Sequence, residues 1–600
     1  MERSPLVGTN PRAWVRRTRL LLVALLAAVL LVTGRLIWVQ ALEGPQLSEA
    51  ARNNRIRTYE VQAERGDILD ANGDILATSV PTYNVGVNQQ LITGYEVRDD
   101  SGEVVDGGIS AAAERLAPIL DQDPAELGAA MVGDSTFAYI ARDISPAQWR
   151  QIRELGIRGI EPEQSVDRLY PNGTTGGNVI GFVGADNTGL AGLEQSYEEV
   201  LSGEDGSTTV EIGRDGQVIP GATREEVEAQ DGRDVQTTID RNLQYYCQQA
   251  LDEAVARHGA QWGAVEIEEI GTGRILALCD SNTVDPGNYQ DWAPEDRGAR
   301  SISAPYEPGS TGKVPTFAGA LDYGLVDVDS EWYVPDTWTV DNGQTFSDND
   351  NHAPMTLTTA GVLANSYNTG LVQIGETIPD ERRYEYFTDF GFGQRTGIEL
   401  PGESSGIYRS TDQWDDRSRY TTMFGQGLAV TLLQSTSTAA TVGNGGVRVD
   451  PHIVEAVEAE DGTMVPTTLL EGTRVVSEEA AANTIAMMEG AVSDRGTAQL
   501  ADVPGYRVAG KTGTAQVPNE NGPLAGRVGT FLGVIPAEDP QVAIGVVMYG
   551  ANGPSYGSIV AAPVFSDVAE FTMDYLGVPP STTPDPYLPL VPGEEWGDDQ

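Results

Sequence analysis

Leu20 to Val39 is the stretch that most constrains this chain. It opens Leu20-Leu21-Leu22-Val23-Ala24-Leu25-Leu26, stays apolar to Val32, and continues through Arg35 to Trp38 and Val39. About 20 apolar residues in a helix span the hydrocarbon core of a bilayer. The run meets that length when Arg35 snorkels to the far interface, where Trp38 also belongs. Before it stand Arg3, Arg12, Arg16, Arg17 and Arg19 against one acid, Glu2, which places the N-terminus in the cytoplasm. A cleaved signal peptide would end on small residues, whereas Leu36, Ile37 and Trp38 are bulky. The expectation is an uncleaved single-pass anchor in the cell membrane: a cytoplasmic tail over 1–19, a transmembrane helix over 20–40, and an extracytoplasmic remainder.

The remainder has length for several domain-sized units. A net charge of −50 argues against nucleic acid as a partner. His258, His352 and His452 are scattered, and no C-x-x-C or H-E-x-x-H offers metal spacing, so neither metal nor cofactor is expected. Cys247 and Cys279 are the two cysteines. Outside the cytoplasm they could be oxidised, and whether they pair is left open.

Residues 41–60 are polar and allow a juxtamembrane helix. Ala71-Asn72-Gly73 between Arg65–Asp70 and Asp74–Ala77 signals a hairpin. The region to about 225 mixes short strands, such as Tyr83–Val87, with amphipathic helices, such as Ser110–Leu120 and Ser145–Leu155. It shows no chemical cluster and is expected to be a pedestal or docking domain over 41–225. After the acidic stretch Gly221–Asp234, a helix is expected at Arg241–His258 and a hairpin from Gly263–Ile270 and Arg274–Cys279. Helices follow at Val430–Val442 and Glu478–Val492, and the Asp/Asn-rich stretch Asp341–His352 reads as a solvated loop. Strands return at Lys511–Val517, Val528–Ile535 and Gln541–Tyr549, before a helix from about Pro563 to Leu576. A hairpin first, helices between and a meander last predict an α+β domain over 226–578. Its antiparallel sheet would be closed by distant segments and covered by helices. The Pro- and acid-rich end, 579–600, is expected to be disordered.

Two lysines stand among the 38 lysines and arginines, and both occupy special settings. Lys313 ends Ser310-Thr311-Gly312-Lys313, and Lys511 opens Lys511-Thr512-Gly513-Thr514. An arginine keeps its proton in a protein, while a lysine can be tuned to release it. A buried lysine beside another cation can take a serine proton near neutral pH. With Ser310 opening a helix, its hydroxyl and the Lys313 amine share one face. That argument fits Lys313 best, and Lys511 would serve as a compact positive point. A third element, Ser366-Tyr367-Asn368, offers a hydroxyl and an amide to relay a proton and hold a substrate amide. Gly513 would let a substrate backbone lie close, and the hydroxyls of Thr512 and Thr514 would hold a carboxylate.

S-x-x-K, S-x-N and K-T-G in this order are the set of penicillin-interacting serine enzymes. The chain resembles the class B penicillin-binding proteins, monofunctional D,D-transpeptidases of peptidoglycan, from the anchor to about residue 578. Arg65–Asp70, Gly189–Glu194, Thr238–Asp240, Phe424–Gly427, Asn444–Gly446 and Ala561–Phe565 also carry the likeness. The pedestal and Phe390–Gly397 look most like septal cell-division members from actinobacteria. Two positions depart from the family pattern: Ala71, where an arginine is frequent, and Tyr367, where serine or cysteine is frequent.

The resemblance implies that Ser310 attacks a donor stem peptide, with Lys313 as base, Ser366 and Lys511 passing a proton to the leaving amine, and Asn368 orienting Lys313. It implies stem peptides as substrates, β-lactams as inhibitors, and a glycosyltransferase and divisome membrane proteins as partners. A serine β-lactamase or D,D-carboxypeptidase would use the same three motifs, and a β-lactam sensor or non-catalytic divisome scaffold could retain them. The anchor and long pedestal favour the transpeptidase.

Overall fold

Pro11–Trp38 form one unbroken helix, α1, in the computed structural model, which describes residues 11–43, 55–99, 101–213, 219, 224–519, 522–584, 586 and 588–594. Its 28 residues, at about 1.5 Å each, exceed the hydrocarbon thickness of a bilayer. The apolar side chains from Leu20 to Trp38 are exposed around the whole helix, as lipid contact requires. This helix fits a single-pass membrane anchor. Arg35 and Trp38 both reach Glu43, at 3.4 and 3.0 Å, so the arginine is drawn to the polar end. Of the juxtamembrane helix allowed over 41–60, residues 44–54 lie outside the described residues, and Ile56–Val61 is a strand.

Two compact units can be distinguished. The first comprises residues up to 63, 81–166 and 204–230. Its elements are β1 (Ile56–Val61), the second half of β2 (Ile75–Val87), α2 (Gly108–Leu120), β3 (Ala138–Ile144), α3 (Pro146–Glu154), β4 (Gly206–Glu211) and β5 (Arg224–Val227). β4 lies between β1 and β5 in an antiparallel sheet. The apolar face of α2, with Ala112, Leu116 and Leu120, packs on Val85 and Val87 of β2. Ser145 and Gln148 form a reciprocal capping box that starts α3, as an S-x-x-Q pattern allows.

The second unit takes residues 64–80, 167–203 and 231 onward. Stretches 64–80 and 167–203, expected within the pedestal, therefore belong here, and buried ion pairing ties them together. Arg65 donates to Glu194 Oε2 through Nε and Nη2 at 3.0 and 2.9 Å, and Arg168 Nε donates to Oε1 at 2.7 Å. Arg65 also pairs with Glu198 at 2.8 Å. Removing one partner of such a buried pair typically costs about 3–5 kcal/mol, because the other charge stays buried.

This unit includes α4 (Arg241–His258), β6 (Trp262–Glu269), β7 (Ile275–Asp280), α5 (Val314–Tyr323), α6 (Thr359–Ala364), α7 (Asn368–Gly375), α8 (Leu432–Gly443), α9 (Glu478–Val492), β8 (Ala509–Asn519), β9 (Gly522–Ile535), β10 (Val542–Tyr549) and α10 (Ala562–Leu576). The five strands form one antiparallel sheet in the order β7-β6-β10-β9-β8. β6 runs beside β10 from Trp262–Tyr549 to Glu269–Val542, so the early hairpin and the late meander close on each other as expected. Val265, Ile267, Phe531 and Ile544 pack with Leu251 of α4 and Phe565 of α10 on one face, and the rings of Phe531 and Phe565 are 4.6 Å apart. Cys247 and Cys279 are buried in this layer as free thiols.

The other face meets α8, where β6 presents two buried carboxyls. Glu268 accepts from Ser437 Oγ at 3.1 Å, and Glu266 faces Thr436 of the same helix. Burial pushes Glu268 up to about 8, and burial and then Glu268 push Glu266 well above the usual carboxylate range.

The end of the chain, expected to be disordered, is docked over its described residues. Thr358 N donates to Leu590 O at 3.1 Å and Thr358 Oγ1 to Pro589 O at 2.6 Å. Leu588 and Leu590 are buried, and Glu594 pairs with Arg495 at 2.7 Å. Its proline and acid content favours disorder; two leucines and a carboxylate supply contacts that hold it.

The protonated carboxyl at Glu268 has a consequence for stability. The folded state holds that proton to about pH 8, whereas an unfolded glutamate releases it near ~4.3. Between those values the folded state binds more protons, so stability falls as pH rises. Glu268→Gln, which cannot ionise, is expected to make the decline in melting temperature between pH 5 and 8 shallower, with Glu266 supplying what remains. An unchanged slope would rule out Glu268 as its source.

Candidate active site

Pro308 and Gly309 set the nucleophile turn. Gly309 has φ 56°, the left-handed conformation that glycine adopts without a Cβ clash. Gly309–Lys313 is a 3-10 turn and α5 begins only at Val314, so Ser310 precedes the α-helix it was expected to open. At three residues per turn, Ser310 and Lys313 still fall on one side. The turn is held through Pro308 O, which accepts from Thr311 Oγ1 at 2.8 Å and Thr530 Oγ1 at 3.2 Å.

Strand β8 is pressed onto this turn. A methyl on Gly309 would lie 2.6 Å from Thr514 O, and one on Gly513 would lie 2.4 Å from Pro308 O and 2.3 Å from Thr530 Oγ1. Gly513 therefore makes room for the turn carrying Ser310, where a substrate backbone was expected. Gly425 closes the other side, since a methyl there would lie 2.1 Å from Gly309 O. Nothing in the local pattern of Phe424–Gly427 marks Gly425 for this task.

Lys313 is fully buried, and its Nζ donates to Ser366 O at 2.6 Å and lies 3.4 Å from Ser366 Oγ. Burial and then the nearby charge of Lys511 push its pKa well down, against the opposing pull of Asp348. Lys511 is also fully buried, and burial lowers it to about 7. Burial thus shifts both amines toward their neutral forms.

Ser366 sits between α6 and α7 at φ 60°. For a residue other than glycine this costs of the order of 1–3 kcal/mol and persists only where neighbours enforce it. Ser366 N donates to Leu363 O at 3.0 Å and Tyr367 N to Val362 O at 3.1 Å. Asn368, expected to orient Lys313, donates from Nδ2 to Ser347 O at 3.0 Å. Ser366 is the residue whose carbonyl holds the lysine. The Tyr367 ring packs beside His352, with centroids 4.6 Å apart.

On β8, Thr512 and Thr514 are two residues apart and share a face. Thr514 Oγ1 accepts from Gly557 N at 3.1 Å, leaving its O–H free to donate. Thr512 Oγ1 lies 3.4 Å from Thr497 Oγ1. β8 is the edge of its sheet. The structure thus gathers Ser310, Lys313, Ser366 and the Lys511–Thr514 strand around one turn, with Asn368 turned toward Ser347.

Gly513→Ala is expected to push the Ser310 turn off the strand and slow acylation by a fluorescent penicillin by about 100-fold, the typical cost of a 1 Å misplacement. A wild-type rate would show that the packing is not needed.

Residues 263–570 match the penicillin binding protein transpeptidase domain family, and 60–237 the penicillin-binding protein dimerisation domain family. The penicillin-binding protein PbpB of Mycolicibacterium smegmatis is 35% identical, over 97% of this chain and 94% of its own length. The peptidoglycan D,D-transpeptidase FtsI of Escherichia coli K12 is 31% identical, over 94% and 92%. A peptidoglycan synthetase from Bifidobacterium adolescentis superposes with a TM-score of 0.72 at 35% identity, over 90% of this chain and all of that one. Penicillin-binding protein 3 of Mycobacterium tuberculosis in complex with ampicillin superposes at 0.68 with 30% identity, over 89% and 99%. A dimerisation-domain match behind an apolar helix, followed by a transpeptidase-domain match that contains the three motifs, makes the chain a class B penicillin-binding protein.

Proposed function

We propose that this protein is a membrane-anchored serine D,D-transpeptidase that cross-links peptidoglycan stem peptides through an acyl-enzyme on Ser310, and that β-lactams acylate the same serine. The observation that carries this reading is Lys313: a buried amine with a lowered pKa, three residues after Ser310 and held by Ser366 O. A neutral amine there can accept the Ser310 proton, which an arginine could not.

Ser310 Oγ attacks the carbonyl of the penultimate D-alanine of the donor as its proton passes to Lys313 Nζ. The C–N bond breaks, and terminal D-alanine leaves with a proton delivered through Ser366. Lys511, part-protonated near neutral pH, supports that relay. An amine from a neighbouring stem peptide then attacks the ester and restores Ser310. Thr512 and Thr514 bind the terminal carboxylate, and the N–H groups of Ser310 and Thr514 receive the oxyanion. One such donor is typically worth about 10²–10³ in rate.

The septal role rests on the resemblance of the pedestal and of Phe390–Gly397 to cell-division members. A glycosyltransferase and divisome membrane proteins are the partners proposed for α1 and the first unit, with the N-terminus cytoplasmic and the catalytic unit outside.

Intact-mass spectrometry after mixing with benzylpenicillin tests the reading. A persistent adduct on Ser310 and none on Ser310→Ala is expected; an adduct lost within seconds as penicillin is consumed would indicate a hydrolase. Lys313→Arg is expected to slow acylation by about 10²-fold or more, and Lys511→Arg by less, since it keeps the charge. Equal losses would contradict the division of roles.

A further inference from the structure

We propose that Asp348 is a positioning residue that pins the start of α7 and so holds Ser366 against Lys313. The inference rests on the acylation chemistry proposed above. Asp348 lies in the stretch expected to be a solvated loop, yet its side chain is 1% exposed. Its carboxylate gathers four contacts. Oδ1 accepts from the backbone N–H groups of Asn368 and Thr369, the latter at 3.1 Å. Oδ2 lies 2.8 Å from Thr369 Oγ1, a hydroxyl it shares with Pro335 O at 2.7 Å, and 3.0 Å from His352 Nε2. Its own N–H donates to Asp336 O at 3.0 Å, fixing its backbone.

The first N–H groups of a helix have no partner within it, and a carboxylate satisfies them with a charge-assisted bond. Here that carboxylate comes from another segment. It grips Asn368, two residues after Ser366, while His352 covers the ring of Tyr367 between them. Both residues after Ser366 are thereby held, which enforces its left-handed backbone and aims its carbonyl at Lys313.

Asp348 also acts by its charge. Lys313 and His352 are the cations that face it, Asp336 and Asp350 the nearby acids, and Lys511 stands behind Lys313. Burial lowers the pKa of His352, but the Ala353 carbonyl and Asp348 outweigh it and raise the value. The negative charge of Asp348 favours the ammonium form of Lys313, so removing that charge lets Lys313 lose its proton at lower pH.

The test is the second-order rate of benzylpenicillin acylation from pH 5 to 9, with the full-length chain in detergent. Asp348→Asn is expected to lower the plateau about ten-fold, roughly one charge-assisted hydrogen bond, and to move the rising acid limb to lower pH. Asp348→Glu, which keeps the charge and displaces it, is expected to lower the plateau and leave the limb in place. A wild-type profile for Asp348→Asn overturns the proposal, as does a lowered plateau with an unmoved limb, the mark of a merely structural cap. Should Asp348→Asn fail to fold, a wild-type plateau in Asp348→Glu overturns it alone. Failure of the wild type itself to acylate would instead refute the chemistry on which the proposal rests.

Discussion

The site depends on backbone pressed against backbone. Three glycines from segments far apart in the chain, Gly309, Gly425 and Gly513, bring the nucleophile turn and strand β8 closer than any side chain would permit. This approach seals Lys313 and Lys511 away from water. Burial then does what no local sequence can do, lowering the pKa of both amines together.

The wider fold serves that approach. β8 is held in place by β9, β9 by β10, and β10 by β6, a strand contributed by the opposite end of the domain. The Phe531–Phe565 contact on one face and the α8 layer on the other make the sheet a rigid wall behind the turn. Strain is placed where the chemistry sits: Ser366 adopts a left-handed backbone because α6 on one side and the Asp348 grip on the other leave it no alternative.

Much of this was legible from local pattern. The helix Arg241–His258 and the hairpin after it follow from apolar period and turn glycines, and the three motifs follow from residue type and order. Contacts made by ordinary residues at long range were not legible. Asp348 looked like part of a solvated loop because nothing in its neighbours says that a helix start lies over it. The bond from Asn368 Nδ2 to Ser347 O likewise joins residues that no local pattern pairs. The last residues looked disordered, since Leu588 and Leu590 are too few to predict a docking site without knowing the surface they meet.

By itself, the sequence determined the anchor, the α+β class and the identity of the reacting groups. Those properties reside in side-chain chemistry and short-range period: an apolar run of bilayer length, a serine three residues before a lysine, a second lysine opening K-T-G. Only the tertiary structure decided that both lysines are buried, that Gly513 faces the nucleophile turn, that Ser366 O holds the base, and that 64–80 and 167–203 join the catalytic unit through Arg65, Arg168 and Glu194. Each of these is an encounter between segments far apart in the chain. Burial, close approach and charge pairing are properties of such encounters, and no single segment contains them.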